Sequence, residues 1–472
     1  ASLSSTTTGY NNVAIGQYSL RVNDDGHSNV AVGYKALTSE TQGDRNVAIG
    51  KSALQNQNNT SNTDAYNVAV GYEAGIAITT GTNNVLVGGQ SADSLTTGAN
   101  NIAIGRASLA TETSGANNVA IGYIALNDQD GADYNVAVGH AAGEKITTGD
   151  ENVIVGAQAG DALTIGKHNV AIGYQSLSSA NAGDFSVAVG HSALREQAGT
   201  SAGDNFYNVA VGYQAGKLVT TGINNTIIGG LAGDALTTGA YNVALGYAAL
   251  STEDTGNKNI AIGFQALVNQ NIDGDIYNIA IGHNAGLSVT SGTNNVIVGG
   301  LSGDALTTGG SNVAIGKEAL TSEDTGSRNI AIGQAALRDL NYDGTGFNVG
   351  VGYGAGLSVT TGVRNVIIGG NAGDAITTAS YNTVVGHGAL SGEDTLNGNT
   401  AIGYNCLTVA DGGSFNTALG YEAGDSMTTG DNNTILGTQA GDSLTTGSNN
   451  LILGHVALPS SNTVSNEITL GD

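Results

Sequence analysis

Short apolar stretches recur along this chain in one form, Asn-(Val/Ile/Thr/Leu)-Ala-(Ile/Val/Leu)-Gly. They run from Asn12-Val13-Ala14-Ile15-Gly16 to Asn450-Leu451-Ile452-Leu453-Gly454. The closing Gly marks 26 copies, and 21 of the 25 spacings between them are 17 residues. Polar turns rich in Gly, Asn, Asp and Thr lie between the copies, with no helical periodicity. Helices would be destabilised by so many glycines. A fixed short period with β-branched runs predicts an all-β protein, a parallel β-solenoid of about 26 coils with two short strands per coil. Residues 1–458 are expected to form one solenoid shaft, with 459–472 a C-terminal segment leaving it. Stacking at ~4.8 Å would make a rod on the order of 120 Å long.

The repeat also nominates a core. Val13 and Ile15, with their equivalents, are expected to face inward because alternate strand residues share a face. Fourteen coils place Leu four residues after the Gly, as at Leu20, Leu37 and Leu109. The other twelve have Gly or Ala there and an aliphatic residue, or Met427, seven after the Gly. One large side chain per coil is thus kept. The slot three after the Gly is always Ala, Ser or Cys, and Cys406, the only cysteine, reads there as a small buried thiol. The two coil classes alternate in pairs, giving a four-coil super-repeat. All four long spacings fall at one register of it, as insertions Gln55–Ala65, Glu196–Phe206, Asn269–Ile276 and Asp339–Gly346.

Three sets of positions stand out. The motif Asn (Asn12, Asn29, Asn46, Asn67, Asn84 and onward, with Ser186 the one exception) suggests a ladder of stacked amides. An aromatic precedes the motif Asn of each first coil: Tyr66, Tyr134, Tyr207, Tyr277, Phe347 and Phe415. These rings beside insertions form either a contact edge or a cover over the bulge. Finally, the residue between the two expected core positions ought to be polar and is apolar or Gly throughout: Ala14, Ala31, Ala48, Ala69, Leu86, Ala103, and the bulkier Ile154, Ile227, Ile297, Ile367 and Ile435. A stripe of that length exceeds what soluble monomers expose, so these residues are expected to meet at an oligomer interface.

Composition narrows the function. Thirty-nine Asp and Glu against 14 Lys and Arg give a net charge of −25, which opposes binding to nucleic-acid phosphates or insertion at an anionic bilayer. A single Cys cannot form an internal disulfide. Gly350-Val351-Gly352-Tyr353-Gly354-Ala355-Gly356 lacks the spacing of a phosphate-binding loop. Five His (His140, His191, His283, His387, His455) share the slot after the motif Gly, no two closer than 51 residues, too far apart to chelate within a chain. Asp128-Gln129-Asp130-Gly131-Ala132-Asp133 and Asp273-Gly274-Asp275 have the oxygen content of calcium loops but lack an EF-hand Glu. No catalytic constellation emerges, so the expectation is a non-enzyme without cofactor, calcium being the one minor option.

The pattern Asn-Val-Ala-Ile-Gly-x-x-(Ala/Ser) resembles the head repeat of trimeric autotransporter adhesins, whose coils are usually shorter. Copies such as Asn169-Val170-Ala171-Ile172-Gly173-Tyr174-Gln175-Ser176-Leu177 are closer to repeats in bacteriophage tail fibres. The tail Ser465-Asn466-Glu467-Ile468-Thr469-Leu470-Gly471-Asp472 resembles the segment such fibres carry before a C-terminal intramolecular chaperone that trimerises the fibre and cleaves itself off. The resemblance implies a left-handed β-roll, a parallel homotrimer and an extracellular virion appendage that attaches to a host-surface glycan or protein receptor. The alternatives are a bacterial cell-surface adhesin, for which heptads and a barrel segment are missing, an ice-binding solenoid with interrupted Thr rows, or a polysaccharide-cleaving tailspike.

Overall fold

The computed structural model describes residues 8–199, 201, 203–392, 395 and 397–471. The chain divides into two compact units, Ala1–Ala240 and Tyr241–Asp472. Each is a parallel β-solenoid, with no helix among the described residues. Among the described residues the first unit holds thirteen three-residue strands, from Val13–Ile15 to Thr226–Ile228. The second holds fourteen, from Val243–Leu245 to Ile468–Leu470. Within a unit each strand pairs in parallel with the next, Val13 on Val30, Ala14 on Ala31 and Ile15 on Val32. The backbone bonds of a rung are short and regular: Val13 N–H donates to Asn29 O at 2.8 Å, and Gly33 N–H to Ile15 O at 2.7 Å.

The strand faces are the reverse of the sequence expectation. Ala31, Ala48, Ala69, Leu86, Ala103, Ile154, Ile227, Ile297, Ile367 and Ile435 are buried inside their own unit, and Ala14 is half-buried at the first rung. The buried ones are not available to a second chain. The flanking residues point outward instead: Ile15 is 60% exposed, Ile104 and Ile172 37%. Parity explains it. The motif Asn is buried, so the next residue must face out and the one after it in.

The bulky middle residues are interior plugs. A Cβ on Gly75 would lie 2.6 Å from Leu86 Cδ1, and one on Gly216 2.9 Å from Ile227 Cδ1. One plug serves both coils of a pair that lacks the Leu four after the Gly: Ile154 Cδ1 lies 3.2 Å from a Cβ on Gly143 in the coil before and 3.0 Å from one on Gly160 in its own. Where that Leu is present, as at Leu20, Leu37 and Leu109, it is fully buried, and so are the alternates Ile78, Leu95, Ile146 and Met427.

Only one strand per coil is regular. The opposite wall, expected as a second strand, is a run of turns in which residues two and four after the Gly take positive φ, Tyr18 at 63° and Leu20 at 44°. It remains bonded between rungs, with Leu20 N–H on Ala36 O at 3.0 Å. Further strands or bridges occur among the described residues only at the insertions, in the segment leading into the motif Asn, where the chain rejoins the stack: Asp44 with Asp64, Gly183–Asp184 with Asp204–Asn205, Gly256–Asn257 with Gly274–Asp275, and Ser327 with Thr345.

The C-terminal segment does not leave the solenoid. Ile468–Leu470 pairs with Leu451–Leu453 as a further rung, the last of 27 three-residue strands among the described residues. Glu467 stands where Asn stands elsewhere, and its N–H still donates to Asn450 Oδ1 at 3.0 Å.

Candidate functional site

Three features are built on this frame: the amide ladder inside, the outward strand face, and the edge carrying the insertions.

The ladder is as the sequence suggests. Asn12 Oδ1 accepts from Asn29 N–H at 2.9 Å, Asn29 Oδ1 from Asn46 N–H at 2.9 Å, Asn46 Oδ1 from Asn67 N–H at 3.1 Å, and Asn67 Oδ1 from Asn84 N–H at 2.9 Å. The amide nitrogen donates onward to the turn of the next coil, as Asn12 Nδ2 does to Gly26 O at 2.8 Å. Each side chain thus ties two coils together in a place where an unpaired amide would be costly.

On the outward face, two columns of aliphatic side chains climb each unit. In the first unit 25 of the 26 positions are Val or Ile, Thr226 being the exception. Beside these columns, aromatic residues stack from rung to rung. Tyr174, His191 and Tyr213 follow at 5.3 and 5.4 Å between centroids; Tyr247, Phe264 and His283 at 5.6 and 5.2 Å; His387, Tyr404 and Tyr421 at 5.7 and 5.3 Å. The His slot is therefore a place in a ring stack. Many of these rings lie nearly parallel to their neighbours, so each covers the face of the next.

At the insertion edge the six named rings are exposed, from 45% at Phe347 to 64% at Phe415. Several are engaged locally. The Arg45 guanidinium lies 5.4 Å from the Tyr66 ring centre and pairs with Asp64, to which the Tyr66 hydroxyl also donates at 3.4 Å. Lys258 sits 5.0 Å from the Tyr277 ring centre and donates to Asp275 at 2.5 Å and to the Tyr277 hydroxyl at 2.9 Å. The Lys258 ammonium holds the Asp275 carboxyl below its ordinary value. Arg328 lies 5.6 Å from the Phe347 ring centre, while Tyr207 stacks on Phe185 at 5.2 Å. In the rings so held, a cation or a second ring from the coil before clamps the place where the insertion re-enters.

The acidic loops are likewise occupied by neighbouring coils. Asp130 accepts from the Thr113 hydroxyl at 2.6 Å, Asp133 from Ala116 N–H at 2.6 Å, and Asp273 from the Thr255 hydroxyl. No group of three or more His, Cys, Asp or Glu suited to a metal occurs among the described residues. The Thr rows are bonded along the stack: the hydroxyls of Thr79 and Thr96 donate to the carbonyls of Thr96 and Thr113 one rung on, and Asp130 ends the row. Cys406 is fully buried, and burial pushes its thiol up to about 12.

Sequence reasoning missed a set of buried carboxylates. Glu40, Glu112, Glu253 and Glu323 share one register of the super-repeat and have no exposed surface. Each accepts the N–H of the Gly three residues on, at 2.6, 2.5, 2.7 and 2.6 Å respectively. Each also reaches into the following coil, Glu40 to Asn59 N–H at 3.1 Å and Glu112 to Gly131 N–H at 2.8 Å. The signal was present in the sequence: in these four coils Glu stands three before Gly, as in Glu40-Thr41-Gln42-Gly43.

No protein-family model matches this chain, and no curated protein matches it either.

Proposed function

We propose that the chain is the structural fibre of a virion, a tail fibre or related appendage, that reaches and attaches to a host-cell surface, with its copies packed in parallel as a homotrimer. The outward Val and Ile columns carry this reading. Thirteen rungs at about 4.8 Å, with two side chains across, present a strip of roughly 700 Å² in the first unit alone. That is more than most monomers leave contiguous, and close to the roughly 800 Å² per partner of a standard interface. Equal columns on identical chains meet in register when the chains run parallel. The insertion loops, free of that packing and variable in length, are then the surface left for a glycan or protein receptor.

The test is the solution mass by light scattering, for the chain and for a variant with Val119→Lys and Ile121→Lys on the outward face. Three times 46.8 kDa, falling to one chain in the variant, supports the reading. A single-chain mass for the unaltered protein overturns it.

A further inference from the structure

The buried glutamates are not equivalent, and the difference falls on one insertion. Glu40 Oε2 accepts from Gln57 Nε2 at 3.0 Å, Glu112 Oε2 from Gln129 at 2.9 Å, and Glu253 Oε2 from Gln270 at 3.0 Å. Each Gln stands 17 residues after its Glu, and its own oxygen accepts from a ladder Asn: Gln57 from Asn67, Gln129 from Asn135, Gln270 from Asn278. In the coil after Glu323 this position is Leu340, fully buried. In the coil before, it is Leu306, also fully buried. Glu323 therefore sits in register between two leucines, with a carboxyl held by Gly326 N–H at 2.6 Å and Tyr342 N–H at 3.4 Å.

At the same level the ladder keeps its main-chain bonds, Asn329 N–H on Asn312 Oδ1 at 2.9 Å and Asn348 N–H on Asn329 Oδ1 at 3.1 Å, but loses one side-chain bond. Asn46 and Asn259 occupy the matching rung in their super-repeats, and each donates to the preceding Asn at 3.1 Å. Asn329 Nδ2 is buried without an acceptor. The charged groups around Glu323 give it no cation. Asp324 is its sequence neighbour and disfavours its charge. Asp343 in the insertion accepts from the Thr325 hydroxyl, Arg338 is paired with Asp339 at 2.7 Å, and Arg328 lies outward over Phe347.

We propose that Glu323 is a proton-operated latch on the insertion Asp339–Gly346 of the second unit: the neutral carboxyl lets the loop close over the leucine column, and the carboxylate, lacking the Gln donor present elsewhere, drives the loop outward. Burial pushes this carboxyl from 4.5 up to about 7, which places the transition near neutrality. The sign follows from proton uptake. The closed loop holds the proton at pH values where an exposed Glu has lost it. Closure is therefore strongest in acid, weakens as the pH rises from 4.5 to 7, and stays weak above that. The opened loop would expose Tyr342 and leave the bridge between Ser327 and Thr345 unmade.

Hydrogen exchange on the full chain tests this, after correction for intrinsic rates. The reporting amides are Asn341, bonded to Thr360 O at 2.8 Å, and Gly346, bonded to Ser327 O at 3.0 Å. Asn58 and Ala65 in the insertion Gln55–Ala65 serve as internal reference, since Glu40 there keeps its Gln. Between pH 5 and pH 8, protection at Asn341 and Gly346 is expected to fall by about two orders of magnitude, while the reference amides keep theirs. Leu340→Gln should restore the reference behaviour, and Glu323→Gln should remove the pH dependence. Equal protection at both pH values, an equal fall in the reference insertion, or an unchanged pH dependence in the Leu340→Gln variant would overturn the proposal.

Discussion

Asn84 Oδ1 accepts two hydrogen bonds from Asn101, one from its main-chain N–H at 3.0 Å and one from its side-chain nitrogen at 3.2 Å. One coil on, Asn101 keeps the main-chain half of the arrangement, its Oδ1 accepting Asn118 N–H at 2.9 Å, while its own Nδ2 also donates to Gly115 O at 2.9 Å. Asn101→Ala leaves Asn118 N–H and Gly115 O buried and unpaired. The expected cost is about 2–4 kcal/mol, read as a lower urea midpoint for the first unit. An unchanged midpoint would mean that the ladder is incidental to the stack.

Two adjacent glycines in the second unit should behave differently. Gly299 has φ +138°, and a Cβ there would meet Gly316 O at 2.5 Å, whereas a Cβ on Gly300 would meet nothing within 4 Å. Gly299→Ala is expected to cost about 3 kcal/mol or more through strain and displacement of the next rung. Gly300→Ala should stay within about 0.5 kcal/mol of the unaltered chain. Thermal unfolding of the two variants side by side checks the contrast.

Gly75 and Leu86 should be energetically coupled. Leu86→Ala opens a cavity, at a cost of about 2–5 kcal/mol. Gly75→Ala pushes a methyl towards Leu86 Cδ1 and also destabilises. In the double variant the new methyl enters the vacated space, so the loss should be smaller than the two single losses combined, by roughly 1 kcal/mol or more. Simple additivity in a double-mutant cycle would show that the plug and the glycine do not share a space.

Much of this was legible in the sequence. The period, the paired coil classes and the Leu20 and Ile78 slots follow from spacing alone, since each core position recurs at the same distance from an invariant Gly. The direction of the strand was harder to read, because Val13-Ala14-Ile15 is apolar on both faces. Only the Asn carried the parity: an amide that ladders inside the coil forces Val13 outward. The last rung escaped notice because Glu467 replaces the Asn, although Gly471 lies 17 residues after Gly454. The second wall was misread for a conformational reason. Leu20 and Leu37 adopt positive φ, which residue type does not advertise in a leucine.

The rung register has a hereditary consequence. Residues Asn101–Asn117 make one whole coil, and its successor begins again at Asn118 with the same Asn, the same inward Ala and the same Leu slot, Leu126 for Leu109. A slip in copying the gene that removed those 17 codons would bring Asn118 onto Asn84 with each ladder partner replaced by its like. Losses or gains of 17 codons can therefore pass as changes of length alone, whereas a slip of 16 or 18 would turn the inward side of every later strand outward until a bulge absorbed it. The number of coils, in such a molecule, is a trait that can vary by whole steps without a new fold having to be found.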